Sequence, residues 1–174
     1  MDKLKVTIYQ RQRKVPITKD VKQLIKEACR ASLIAEGRGG DFEVTVTIVN
    51  NDQIHAINSD CRGIDSATDV LSFPLSEDGF EFDINPITGC QMLGDIVISA
   101  ERAKEQAFDF CQPLEREVAF LTVHSMLHLM GYDHVNNEEE ETLMRSRQRV
   151  IMADLEARCE KIGLYLGKRE EVYE

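Results

Sequence analysis

At 174 residues, 43% of them hydrophobic, the chain can bury most of the surface its unfolded form exposes, and residues 1–174 are expected to make a single domain. Its apolar runs are far shorter than the roughly 20 residues that cross a bilayer, and no apolar signal core follows Met1-Asp2-Lys3-Leu4-Lys5, so a soluble, cytoplasmic protein without a membrane partner is expected. A formal net charge of −10 excludes wholesale coating of nucleic acid, which requires many phosphates to be neutralised at once, but leaves room for a local basic site.

Leu4, Val6 and Ile8 alternate with polar residues, the period of a half-buried strand. After a loop containing Pro16, Thr18 is a plausible N-cap for a helix carrying Val21, Leu24, Ile25, Ala28 and Leu33, which the Gly37, Gly39 and Gly40 cluster stops. Phe42, Val44, Val46 and Ile48 mark the clearest strand. Asn50 or Asn51 can cap a short helix with Ile54 and Ile57; His55 on it reads as a surface residue and stays outside the site. From Asn58 helical periodicity fades until the strand Val70-Leu71-Ser72-Phe73, closed by Pro74. That places Arg62, Asp65, Thr68 and Asp69 in a loop set against a sheet, where binding groups concentrate, although Asp and Thr there also serve turns.

Residues 76–90 are rich in turn signals. Leu93 to Ile98 form another strand, whose Gly94 and Asp95 suggest a bulge or an edge facing something polar. Ser99 can cap a helix through Ala100, Ala103 and Ala107, and Pro113 fits the first turn of the next. Leu114, Val118, Leu121 and Ser125 form one stripe of that helix, with His124 and His128 at the margin of the buried face. Asn136 or Asn137 starts a final helix with Leu143, Met144, Val150, Ile151, Leu155 and Cys159, ending near Gly163.

The chemistry concentrates in His124-Ser-Met-Leu-His128-Leu-Met-Gly131-Tyr-Asp133-His134, which holds three of the four histidines. On a helix, His124 and His128 stand one turn apart on the same face. Gly131 permits the left-handed turn that ends the helix and returns His134 as a third ligand. Three neutral imidazoles suit zinc and leave one tetrahedral position open, as catalytic sites do. The spacing is that of the metzincin peptidases, HExxHxxGxxH, except that Ser125 replaces the general-base glutamate, and a serine is a poor base for the attacking water.

Cys29, Cys61, Cys90, Cys111 and Cys159 are odd in number, scattered and never in a CxxC pair, so they read as reduced thiols. A structural zinc site without catalysis would need Cys111, Cys61 or an Asp as a fourth ligand. Three basic clusters, Arg11 with Arg13 and Lys14, Arg145 with Arg147 and Arg149, and Lys168 with Arg169, are candidates for a nucleic-acid backbone against the blander reading as solvated faces.

Three blocks in order, RGIDSATDVLSFP at Arg62 to Pro74, GDI at Gly94 to Ile96 and HSMLHLMGYDH at His124 to His134, resemble the YbeY family of bacterial rRNA-maturation endoribonucleases, and from the first to the last they span a little under half the chain. Ser125 departs from the family's usual glycine, and Ser66-Ala67 stands where a lysine commonly follows the aspartate. The resemblance implies an α+β fold, a small mixed β-sheet flanked by helices, zincin-like, with the metal site at a helix C-terminus. It implies metal-dependent cleavage of single-stranded RNA, in 3′-end maturation of small-subunit rRNA and in ribosome quality control. The partners implied are RNA and the ribosomal small subunit, with no DNA. One Zn2+ per chain, or another divalent transition metal, would sit on His124, His128 and His134. Arg62 would hold the phosphate, and His124 would act in catalysis as well as ligation. Asp69, Asp95 and Asp133 are three candidates for fixing imidazole tautomers from the second shell.

Overall fold

In the computed structural model, which describes residues 3–133 and 137–168, the chain runs β1 (Leu4–Gln10), α1 (Lys19–Ala35), β2 (Phe42–Val49), α2 (Asn51–Arg62), β3 (Val70–Pro74), β4 (Gln91–Ser99), α3 (Ala100–Asp109), α4 (Leu114–Leu129) and α5 (Glu138–Ile162). The expected α+β architecture with a small mixed sheet is observed. The strand order is β1-β2-β4-β3, with β1, β2 and β4 parallel and β3 antiparallel at one edge.

The helix starts follow the capping residues. Thr18 accepts from the Val21 amide at 3.2 Å, and Ser99 accepts from Arg102 at 3.2 Å. Asn50 and Gln53 form a reciprocal capping box, which satisfies two otherwise orphaned amides at once. Asn137 caps α5 and Gly163 ends it. The reading of residues 58–69 needs correction at its start. Helix α2 continues through Arg62 to a left-handed cap at Gly63, because Asn58 is buried and donates to the Ser66 carbonyl at 2.9 Å. A polar residue on the inner face thus continues a helix that an apolar pattern alone would stop.

The principal core lies between one sheet face and α1, α4 and α5, and includes Val44, Val46, Ile96, Ile98, Leu24, Ile25, Leu127 and Ile151. On the opposite face a smaller cluster of Val49, Ile54, Leu71 and Val97 packs beneath α2. Helix α4 passes through the middle. It buries ten of its sixteen residues, so it is apolar on most sides rather than along one stripe, the pattern of a helix enclosed by neighbours. Helix α5 is amphipathic. Met144, Ile151, Met152, Leu155 and Cys159 are buried, whereas Leu143 and Val150 face outward. The β2–β4 register shifts between Glu43 and Val44, leaving Leu93 as the extra residue before Gly94. The bulge is present, but in a central strand rather than at an edge.

Candidate metal centre

Helix α4 carries His124 and His128 one turn apart on its least buried side, where both line a cleft of about 480 Å³. Their Nε2 atoms lie 3.1 Å apart, with the rings nearly perpendicular at 79°. Two tetrahedral donors about 2.05 Å from a zinc ion would be separated by about 3.3 Å. The pair therefore converges as two ligands of one ion should.

The outer nitrogens of both rings are engaged. His128 Nδ1 is 2.7 Å from the Tyr132 carbonyl oxygen. A carbonyl only accepts, so Nδ1 carries the proton and Nε2 presents its lone pair. His124 Nδ1 faces the side-chain amide of Gln148 at 2.5 Å. With the amide nitrogen donating, the His124 proton resides on Nε2 and points at His128. With the amide oxygen turned inward, that proton moves to Nδ1 and both Nε2 atoms are bare. Gln148 thus selects the tautomer that determines whether His124 can ligate.

The turn after α4 is fixed from several sides. The Tyr132 hydroxyl donates to Glu36 at 2.6 Å, and Arg147 donates to the same carboxylate at 2.6 Å and to the Ala35 carbonyl at 2.9 Å. Arg38 donates to the Met130 carbonyl at 3.2 Å while stacking over Phe80. Residues 78–79 lie directly on the turn. A Cβ on Gly131 would come within 2.6 Å of the Asp78 oxygen, and one on Gly79 within 2.2 Å of the Met130 carbonyl. Both glycines have positive φ, +97° and +75°, so only glycine fits without moving backbone.

The remaining sequence-nominated residues divide. His134 lies outside the described residues. Among the described residues no group of three or more His, Cys, Asp or Glu is placed to hold a metal ion, so neither Cys61 nor Cys111 joins the two histidines. Arg62 lines the same cleft. It is exposed, and the two carboxylates of the loop that follows it are engaged elsewhere, Asp65 with His55 at 2.6 Å and Asp69 with the Val70 amide and Gln106. Asp69 lines the cleft while acting as a strand-start residue, and Asp133 lines it beside Tyr132. Asp95 belongs to another surface. It pairs with Thr45 and Phe73 across the sheet and shares its face with Val97, opposite the face of Ile96 and Ile98 that packs toward α4. There, partial burial raises the pKa of its carboxyl. The imidazoles' outer partners are instead Gln148 and the Tyr132 carbonyl. The signal for Gln148 was a polar residue interrupting the apolar stripe of α5.

Ser125 is fully buried and accepts a 2.8 Å hydrogen bond from Ser72 Oγ on β3. It ties α4 to the sheet. A glutamate there would place a carboxylate in the core, so the peptidase base is absent and has no ready place.

A family model described as Endoribonuclease YbeY matches residues 7–156. Over 149 residues the chain is 45% identical to the Endoribonuclease YbeY of Alkaliphilus oremlandii, covering 86% of this chain and 95% of the relative. Over 138 residues it is 46% identical to that of Bacillus subtilis, covering 78% and 84%. A solution structure of a Thermotoga maritima protein aligns with a TM-score of 0.61 at 24% identity, over 90% of this chain and 93% of that one, and shares the fold.

Proposed function

The chain belongs to the YbeY family of endoribonucleases, and from that premise we propose a metal-dependent enzyme that cuts single-stranded RNA, serving the 3′-end maturation of small-subunit rRNA and ribosome quality control in the cytoplasm. The observation that carries the reading is the convergence of His124 and His128 on one point in a cleft that Arg62 also lines. One zinc or other divalent transition ion, held by these two and, on sequence spacing, His134 in a zincin-like site, would polarise a phosphoryl oxygen and activate water near neutral pH.

The chain's own residues have separable tasks. The Tyr132 carbonyl holds the Nδ1 proton of His128 and thereby aims Nε2 into the cleft, and Gln148 does the same for His124 when its oxygen faces inward. Arg62 grips a phosphate through two parallel N–H donors and offsets charge as it develops on the oxygens. Its exposed position lets a flexible polyanion reach it. No membrane attachment enters the reading, and among the described residues no helix is long and apolar enough to cross a membrane.

The test is elemental analysis of protein purified without chelator, paired with cleavage assays. About one divalent ion per chain is expected, with chelator-sensitive cutting of single-stranded RNA and none of casein. Stoichiometric metal in the His124→Ala, His128→Ala double variant would remove the site. Peptide cleavage by the wild type would overturn the ribonuclease reading, and failure to cut RNA even with ribosomal particles present would favour a non-catalytic ribosome-binding module.

A further inference from the structure

The second basic cluster of the sequence, Arg145, Arg147 and Arg149, is split by the helix that carries it. Arg147 turns toward α1 and binds Glu36. Arg145 and Arg149, one turn apart, line a separate groove of about 480 Å³ between α4 and α5, together with Gln148 and Met152 on α5 and Arg116 and Phe120 on α4. Phe120, His124 and His128 are spaced four residues apart, so the three stand in a row along one side of α4, each about 6 Å beyond the last. Gln148 joins the two spaces, because it lines the groove while its amide touches His124.

From this arrangement we infer that the α4–α5 groove is a nucleotide subsite, which takes a base of single-stranded RNA on Phe120 and an adjoining phosphate on Arg149 and Arg145 while the neighbouring stretch occupies the histidine cleft. The inference rests on the endoribonuclease reading. Phe120 is 37% exposed on a helix otherwise mostly buried, and a single exposed aromatic is by itself ordinary. Its setting is what distinguishes it. In a chain of net charge −10, three arginines line one groove around an apolar platform, with a single carboxylate in the lining, Glu117, which is buried and takes a hydrogen bond from Gln112; cations beside an aromatic face are what single strands use. Arg145 shares its charge with Glu141 at 2.5 Å. Arg116 is held by the Gly167 carbonyl and lies 4.0 Å from Glu156. Among the described residues no carboxylate lies within ion-pair distance of Arg149, which makes it the principal phosphate group. The site asks for an unpaired base, since stacking on Phe120 requires an open face.

Binding of a fluorescent 12-nucleotide single-stranded RNA to the full chain tests this, by anisotropy across a salt series, with cleavage of the same RNA followed in parallel. Phe120→Ala is expected to weaken binding about tenfold or more, and Phe120→Tyr to restore most of it. Arg149→Gln should weaken binding and reduce the slope of log K against log salt by about 0.7, the share of one phosphate on a single strand. Arg149 is exposed, so its variant reports even if Phe120→Ala folds poorly. Wild-type affinity in Arg149→Gln and Phe120→Ala, with wild-type protein still cutting the RNA, would overturn the subsite and leave the endoribonuclease reading standing. A wild type that neither binds nor cuts overturns both. If poly-glutamate of matched charge competes as well as RNA does, the groove belongs to an acidic protein segment and the nucleotide assignment falls.

Discussion

On one side of the histidine cleft the two histidines stand on a helix buried in its middle, and the turn beyond them is clasped by Tyr132, Glu36, Arg147 and Arg38 and by the backbone of residues 78–79. On the other side Arg62 ends α2, a helix that buries only Ile54 and Asn58, and is followed by residues exposed through Ser66. The difference matches the two kinds of chemistry proposed for them. Metal ligands tolerate errors of only about 0.2 Å, so their side chains must be fixed by packing and outer hydrogen bonds. A guanidinium meeting a flexible polyanion can find its geometry after contact. One wall is therefore expected to fail through folding and metal binding, and the other through rate.

The largest effect is expected from breaking the rigid wall. Gly131→Ala combines a positive φ of +97° with a Cβ 2.6 Å from the Asp78 oxygen, and should cost on the order of 3 kcal/mol in urea unfolding, with loss of bound metal. Gly79→Ala presses on the same contact from the other side, so the double variant should lose less than the two single losses added together. Additive losses would show that the two backbones do not share one constraint.

Next comes Arg62→Ala, which should lower RNA cleavage about a hundredfold, or roughly 2.7 kcal/mol, while Tm and metal content stay at wild-type values. Arg62→Lys should recover little, since an ammonium cannot make the planar two-point contact. A drop in Tm comparable to that of Gly131→Ala would show that Arg62 is structural. Wild-type rates in Arg62→Ala would remove it from the site.

The contrast also shows what could be read from the chain and what could not. The strands at Val44 to Ile48 and Val70 to Phe73, the Thr18, Ser99 and Asn137 caps and the pairing of His124 with His128 all follow from local spacing, because period, cap chemistry and one helical turn are local properties. The end of α2 was misread because Asn58 is buried for a hydrogen bond to Ser66, which no apolar pattern records. Asp95 was nominated although β-strand alternation turns it away from α4, a fact that requires knowing which sheet face the helix covers. Gln148 escaped because it lies 24 residues beyond His124 and meets it only when α5 packs beside α4. Polar partners brought from distant elements are products of tertiary packing, and a sequence shows them only as an odd residue in an apolar stripe.

Gln148→Leu sharpens the comparison from within the rigid wall. Leucine keeps much of the volume but cannot accept a hydrogen bond from His124 Nδ1, so metal affinity should fall 10- to 100-fold while the free energy of unfolding stays within about 1 kcal/mol of the wild type. Gln148→Glu, which can accept, should retain affinity better than leucine does. Equal metal affinity in both variants would dissociate the amide from His124.

The smallest effect is expected at the cysteines, which report on the two walls without changing either. Cys61 precedes Arg62 and is exposed, whereas Cys29 is buried in α1 beneath the clasped side, where removal from water pushes its thiol up to about 12. The thiolate is the reactive species, so at pH 8 Cys29 is doubly protected, by access and by protonation. A maleimide added to native protein should label Cys61 first, with Cys111, partly exposed, following. Cys29 should react only as fast as the whole fold opens, and so should accelerate with urea in step with unfolding. Cys61→Ser should shift stability by no more than about 0.5 kcal/mol. If Cys29 instead reacts at the pace of Cys61 in the absence of denaturant, α1 is leaving the core on its own. Glu36, at the end of that helix, would then no longer hold Tyr132 and Arg147 in place, and the asymmetry between the two walls would disappear.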